Sequence, residues 1–136
     1  MSNEANIQTV KNFFAAIGDG NRDGLLALVT EDIEWIIPGE GWALAGTHRG
    51  HAGVVSVQRK AAEELETSYP RPPEIIAHGD RVFVVGLATG TIKATGRSFK
   101  DEWVFDMTVR DGKVARIQEY IDTQALARAS QTNDQA

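Results

Sequence analysis

The sequence predicts an α+β domain in which helices come first and a curved antiparallel sheet follows. Three observations carry this. Ile7, Val10, Phe13, Phe14 and Ile17 recur at helical spacing near the start of the chain. Tyr69-Pro70-Arg71-Pro72-Pro73 then closes the helical half, because proline removes backbone donors and forces the residues before it into extended conformations. Beyond it, runs rich in β-branched and aromatic residues are separated by Gly79-Asp80, Thr95-Gly96 and Asp111-Gly112, the punctuation of a strand meander.

The elements follow in order. The first helix stops at Gly18 and Gly20. Asn21 or Asp23 caps a short second helix carrying Leu25, Leu26, Leu28 and Val29. Ile33 to Ile37, centred on Trp35, reads as a strand ended by Pro38-Gly39 and followed by a loop holding Trp42. Between about His51 and Thr67, Val54, Val57, Ala61 and Leu65 share the apolar face of a third helix. Strands are expected at Glu74–His78, Arg81–Thr91, Arg97–Val109 and Lys113–Asp122, with a short frayed helix or flexible tail over the last dozen residues. Gly86 and Gly90 lie inside a strand rather than between a strand and a helix, so they permit sheet curvature and are not a phosphate loop.

Length and charge bound the function. A chain of 136 residues, 42% hydrophobic, suits a single domain over 1–136 with its core at about 6–128. A net charge of −5 argues against nucleic acid and anionic membranes as partners. Absence of cysteine excludes disulfides, thiolate metal sites and thiol nucleophiles. With no signal-like N-terminus and no membrane-length apolar run, a cytoplasmic location is expected.

The register of the last hairpin decides which side chains face the core. A two-residue Asp111-Gly112 turn would set Arg110 opposite Lys113 and Met107 opposite Arg116. A three-residue loop instead pairs Trp103 with Glu119 and Asp101 with Ile121 on one face, and Asp106 with Arg116 and Lys100 with Asp122 on the other. The second register is adopted for its opposite-charge pairs. It places Trp103, Phe105, Met107, Val109, Ile117 and Ile121 on an apolar face interrupted by Glu119 and Asp101. A carboxylate against Trp and Phe is costly unless its pKa rises, which suits a general acid or base. The opposite face carries Phe83, Val85, Leu87, Val104 and Tyr120, so a second copy of the chain is expected to cover it.

The Trp35-Ile36-Ile37-Pro38-Gly39 segment, the Gly46-Thr47-His48-Arg49-Gly50 turn into a helix and the Arg110-Asp111-Gly112-Lys113-Val114 hairpin resemble the nuclear-transport-factor-2-like superfamily. More narrowly, the chain resembles SnoaL-like and ketosteroid-isomerase-related proteins. The resemblance spans about residues 6–128. It implies a cystatin-like, cone-shaped α+β barrel, a curved antiparallel sheet whose N-terminal helices pack over an apolar pocket. Carried across residue by residue, the ketosteroid isomerase tyrosine donor falls on Phe13, its general-base aspartate on Ile37 and its protonated aspartate near Phe105. One catalytic aspartate of limonene-type epoxide hydrolase falls on Glu119, while its arginine and second aspartate fall near Gly86 and Ala88.

These readings converge on a cofactor-independent acid/base enzyme for a small apolar molecule, of isomerase, cyclase, dehydratase or epoxide-hydrolase type. Glu119 is its proton-moving group, with Asp101 and His48 as assistants, and Trp35, Trp42, Trp103, Phe13, Ile37, Phe105 and Met107 are the ligand-holding residues. A noncatalytic carrier and a dimeric accessory domain are the alternatives. His48 and His51 stand three apart without an evident third ligand, so no metal site is expected.

Overall fold

The computed structural model describes residues 2–132. Its elements run α1 (Asn3–Gly18), α2 (Arg22–Ala27), β1 (Val29–Ile37), β2 (Gly46–Arg49), α3 (Gly50–Glu64), β3 (Leu65–Ser68), β4 (Glu74–His78), β5 (Arg81–Ile92), β6 (Arg97–Arg110), β7 (Lys113–Tyr120) and α4 (Thr123–Ser130). Residues 133–136 of the expected tail lie outside the described residues.

Local chemistry accounts for the helix starts. The Ser2 side chain accepts the Ala5 N–H, Asn21 accepts that of Gly24 and Asp122 that of Ala125, each satisfying a donor the helix cannot reach internally. The buried stripe of α1 is Asn6, Thr9, Val10, Phe13 and Ala16, rotated from the purely apolar one expected. Asn6 belongs to it because its Nδ2 donates to the Gly79 carbonyl at 2.9 Å, tying α1 to the β4–β5 turn.

Three elements depart from expectation. The second helix ends at Ala27 with Leu28 as its cap, and Val29, expected on it, opens β1 instead. Gly46–Arg49, read as a turn, is strand β2 against β1, pairing Trp35 with His48. Helix α3 ends at Glu64 rather than near Thr67, because Leu65–Ser68 leaves it to pair with Thr89–Ile92 of β5. A run of four residues drawn into a sheet overrides the helical stripe that Leu65 seemed to continue.

The sheet has seven strands in the order β2-β1-β7-β6-β5-β3, with β4 also on β5. It is mixed rather than antiparallel throughout, since β1 runs parallel to β7. That pairing joins distant parts of the chain and closes the half-barrel. The concave side, with α1, α2 and α3, holds the core, in which Phe13, Leu25, Ile33, Met107 and Ile117 are completely buried. Strands β3 and β4 share one edge of β5, β3 at residues 89–92 and β4 at 81–85, so Gly86, Leu87 and Ala88 have no strand partner on that edge.

The final hairpin corrects the expected register. Arg110 does pair with Lys113, across a two-residue turn with Asp111 and Gly112 both at positive φ, as a primed hairpin turn requires. Arg110 is drawn away from Lys113 by Asp32, 2.7 Å from its guanidinium. Val109 pairs with Val114 but Thr108 with Arg116, so Ala115 is a bulge. The bulge brings Met107 opposite Ile117 and Phe105, not Trp103, opposite Glu119. Asp106 accordingly faces Gln118 rather than Arg116, and its carboxylate takes a two-pronged bond from Arg81 on β5. The pairing of β6 with β7 ends at Val104 and Tyr120, so the expected Lys100–Asp122 pair does not form; Asp122 caps α4 instead.

Gly86 has a specific reason to be glycine. The Trp103 indole lies directly on it, and a Cβ there would stand 2.3 Å from Trp103 Cζ2. Gly90 similarly admits the Phe99 ring and the Glu66 carbonyl. Gly86→Ala is expected to destabilise the fold by about 1–3 kcal/mol through overpacking, measured by urea unfolding. Unchanged stability would show that the indole moves aside freely.

Candidate active site

Glu119 projects from β7 into the concave side, beside Ile117 and opposite Phe105. It is only 7% exposed. Its Oε2 accepts a hydrogen bond of 2.5 Å from Nε1 of Trp35 on β1. The parallel β1–β7 pairing brings this donor alongside. Among the described residues no hydrogen bond reaches the other oxygen, Oε1.

Six aromatic rings gather on this side of the sheet. Phe13 stands 5.8 Å from Trp35 and 5.3 Å from Phe14; Phe14 stands 5.8 Å from Phe105 and 6.3 Å from Trp103; and Trp103 lies 4.9 Å from Phe105, all between ring centroids. Tyr69 meets Trp103 edge-on at 6.5 Å. Such pairs add about 0.5–1.5 kcal/mol each beyond area burial. They also exclude water from the carboxyl.

Burial pushes the Glu119 carboxyl up to about 8, against the lowering pull of the Trp35 N–H; the nearby Asp101 charge pushes it further up. Asp101 is also raised, first by burial and then by the Asp122 charge, while a backbone bond from the Asp122 N–H opposes both. That bond, 2.7 Å to Asp101 Oδ1, fixes the entry to α4. Asp101 thus has a structural task as well as a place near Glu119.

The remaining expected residues divide. Trp35 donates to Glu119, Phe105 stands opposite it, and Trp103 packs on Phe105. Phe13, Ile37 and Met107 are core side chains, at most 2% exposed. His48 Nε2 sits 2.8 Å from the Leu44 carbonyl, which accepts its proton, so the ring secures the loop before β2. Trp42 donates to the Pro38 carbonyl and lines a cavity of about 260 Å³ between its loop, the end of α3, β5 and α4, away from Glu119. A larger groove of about 720 Å³ runs along Lys100, Glu102, Val104 and Tyr120 on the convex face. Among the described residues no cluster of three or more His, Asp or Glu could hold a metal, and no helix is long and apolar enough to cross a membrane.

Two groups escape the sequence reading. Tyr69 sits at the rim over Trp103; only the proline-rich segment that carries it hinted at a special backbone path. Gln58, beside Val57 on α3, keeps a buried Oε1 that accepts no hydrogen bond among the described residues.

Raising the pKa of Glu119 has a sign that stability measurements can read. The folded form holds its proton to a higher pH than the unfolded form, so its favourable contribution is complete below the ordinary glutamate range and is lost as pH rises through about 8. Glu119→Gln is therefore expected to gain stability relative to the parent between about pH 5 and about pH 9, by urea unfolding at each pH. A difference independent of pH would show that Glu119 ionises normally.

Comparisons with known proteins agree with this architecture. The family model of the SnoaL-like domain matches residues 10–117. An NTF2-like protein from Burkholderia xenovorans LB400 is 61% identical, with a TM-score of 0.94 over 96% of this chain and 99% of its own. An NTF2-like protein of unknown function from Burkholderia pseudomallei K96243 is 29% identical, with a TM-score of 0.82 over 97% of this chain and 100% of its own. TerC, co-crystallised with polyporic acid, is also 29% identical, with a TM-score of 0.80 over 93% of this chain and 98% of its own. No curated protein matches. Spanning most of the chain and agreeing with its curled sheet, these matches establish that the protein belongs to the SnoaL-like family of the NTF2-like superfamily.

Proposed function

We propose that the protein is a cofactor-independent acid/base enzyme of isomerase, cyclase, dehydratase or epoxide-hydrolase type, acting on a small apolar molecule, with Glu119 as the proton-moving group. The observation that carries this is a carboxyl buried among aromatic rings and anchored through one oxygen. A group whose pKa is raised to about 8 is largely protonated at neutral pH and can donate from Oε1 to a developing oxyanion or leaving oxygen. The resulting carboxylate is held by the Trp35 N–H and can take a proton back from carbon or oxygen of the product. Its closeness to the operating pH suits both directions.

A carrier with the same site is the second reading. It is favoured by one specific observation: TerC, a relative of 29% identity, was crystallised with polyporic acid. Mass-spectrometric turnover of steroid enones, polyketide-like ketones, terpene epoxides and hydroxy acids separates the two readings. Glu119→Gln is expected to lower kcat by about 100-fold or more while ligand affinity is kept. Equal turnover by both forms would remove Glu119 from the chemistry; ligand-dependent Trp fluorescence without product from either would make the protein a carrier.

The convex face supports a homodimer. Ile76, Val85 and Tyr120 are 48%, 38% and 57% exposed there. The adjoining groove carries both Lys100 and Glu102, opposite charges that a two-fold interface can pair crosswise. Sedimentation is expected to give a dimer and Val85→Lys a monomer; a monomeric parent at about 100 μM protein would refute the dimer.

A further inference from the structure

We propose that the cavity beside Trp42 is a second binding site, separate from Glu119, and that it takes a small alkylammonium ion, a protonated amine with a short hydrocarbon chain. Its existence does not depend on Glu119 moving a proton.

The cavity, of about 260 Å³, lies where the Trp42 loop meets the C-terminal ends of two helices, α3 at Glu64 and α4 at Ser130, with Leu65 and Ile92 as apolar wall. Neither Glu119 nor any of Trp35, Trp103 and Phe105 lines it. Three side chains give it polarity, and none has a hydrogen to offer. Trp42 spends its indole N–H on the Pro38 carbonyl at 3.1 Å, which leaves the electron-rich face of the ring. Ser130 donates its hydroxyl proton to the Leu126 carbonyl at 2.8 Å, so its oxygen can only accept. Glu64 contributes a carboxylate, which makes no ion pair among the described residues.

The fold aims Glu64 inward. It follows Val57 by seven residues and Ala61 by three, and so continues the stripe that α3 turns towards the core. Glu63 beside it is exposed, whereas Glu64 is half-buried. By local rules a carboxylate is out of place there. The C-terminal end of a helix carries partial negative charge, and α3 has no basic residue in its last turn to offset it. The end of α4 brings a second such pole to the same cavity. Lys93, Arg97 and Arg128 lie around these ends, but none lines the cavity; the Lys93 and Arg97 side chains donate to the Ala62 and Arg128 carbonyls. A carboxylate, two helix C-termini, a hydroxyl acceptor and an indole face together complement a positive charge that carries N–H donors. Leu65 and Ile92 add a wall that an alkyl chain uses and a bare metal ion does not.

The test is nuclear magnetic resonance on the intact, nitrogen-labelled chain, titrated with n-butylammonium chloride, 1-butanol and potassium chloride at about pH 7, where an alkylamine is protonated. Butylammonium is expected to shift the Trp42 indole and Ala94 amide signals saturably while the Trp35 indole stays in place. Glu64→Gln is expected to weaken this binding about 5-fold or more. Its thermal midpoint should equal or exceed that of the parent, because the change removes a like charge from a helix end. Equal affinity in Glu64→Gln would overturn the role of the carboxylate. An equal response of the parent to 1-butanol would overturn recognition of charge, and an equal response to potassium would overturn the alkyl ligand. No saturation by about 100 mM, or a shift confined to the Trp35 indole, would overturn the site itself. Turnover that depends on Glu119 would stand in any of these cases.

Discussion

A carboxyl inside an aromatic cup faces a choice between staying neutral and finding a donor, and Glu119 does both. Its charge is disfavoured by burial and by the charge of Asp101, while the indole N–H of Trp35 offers partial compensation. The surroundings are arranged about that balance. Parallel pairing of β1 with β7 sets the donor at hydrogen-bonding distance, the α1 rings Phe13 and Phe14 cover the cup, and Trp103 seals the far side by lying on Gly86. Loosening any of these would admit water and return the carboxyl towards ordinary behaviour.

Much of the fold was legible because its signals are local. Helical spacing in α1 and α3, the three prolines and the Gly-containing turns of the meander each act over a few residues. What could not be read this way was non-local. The departure of Leu65–Ser68 from α3, the strand at Gly46–Arg49 and the parallel contact of β1 with β7 depend on partners outside the segment itself, from the nearby end of β1 to the distant β7. Charge pairing was a poor guide to the hairpin, since Arg110 finds Asp32 and Asp106 finds Arg81, both outside it.

For the site, the sequence selected Glu119 despite a wrong register. The expected and observed pairings differ by two residues along most of the ladder, and a slip of two leaves every side chain on its own face. Trp35 was expected near the ligand, but its role as donor to Glu119 follows only from the crossover. Tyr69 was missed because its neighbours in sequence say nothing of Trp103, whereas His48 attracted notice for its chemistry and turned out to secure a loop.

The single unpaired residue at Ala115 has a further meaning for how this fold can diversify. Beyond the bulge, alternate β7 residues keep the orientation it confers, with Glu119 inward and Tyr120 outward. Had β7 continued the two-residue turn without it, Tyr120 would occupy the interior and Glu119 the convex face. Pairing this residue instead of bulging it would thus exchange an acid-lined cup for a phenol-lined one, whereas excising it would leave Ile117 and Glu119 inward, because the pairs on either side already skip it. Which side chains line the cup and which line the convex face are tied here to a single bulge on the same strand as Glu119.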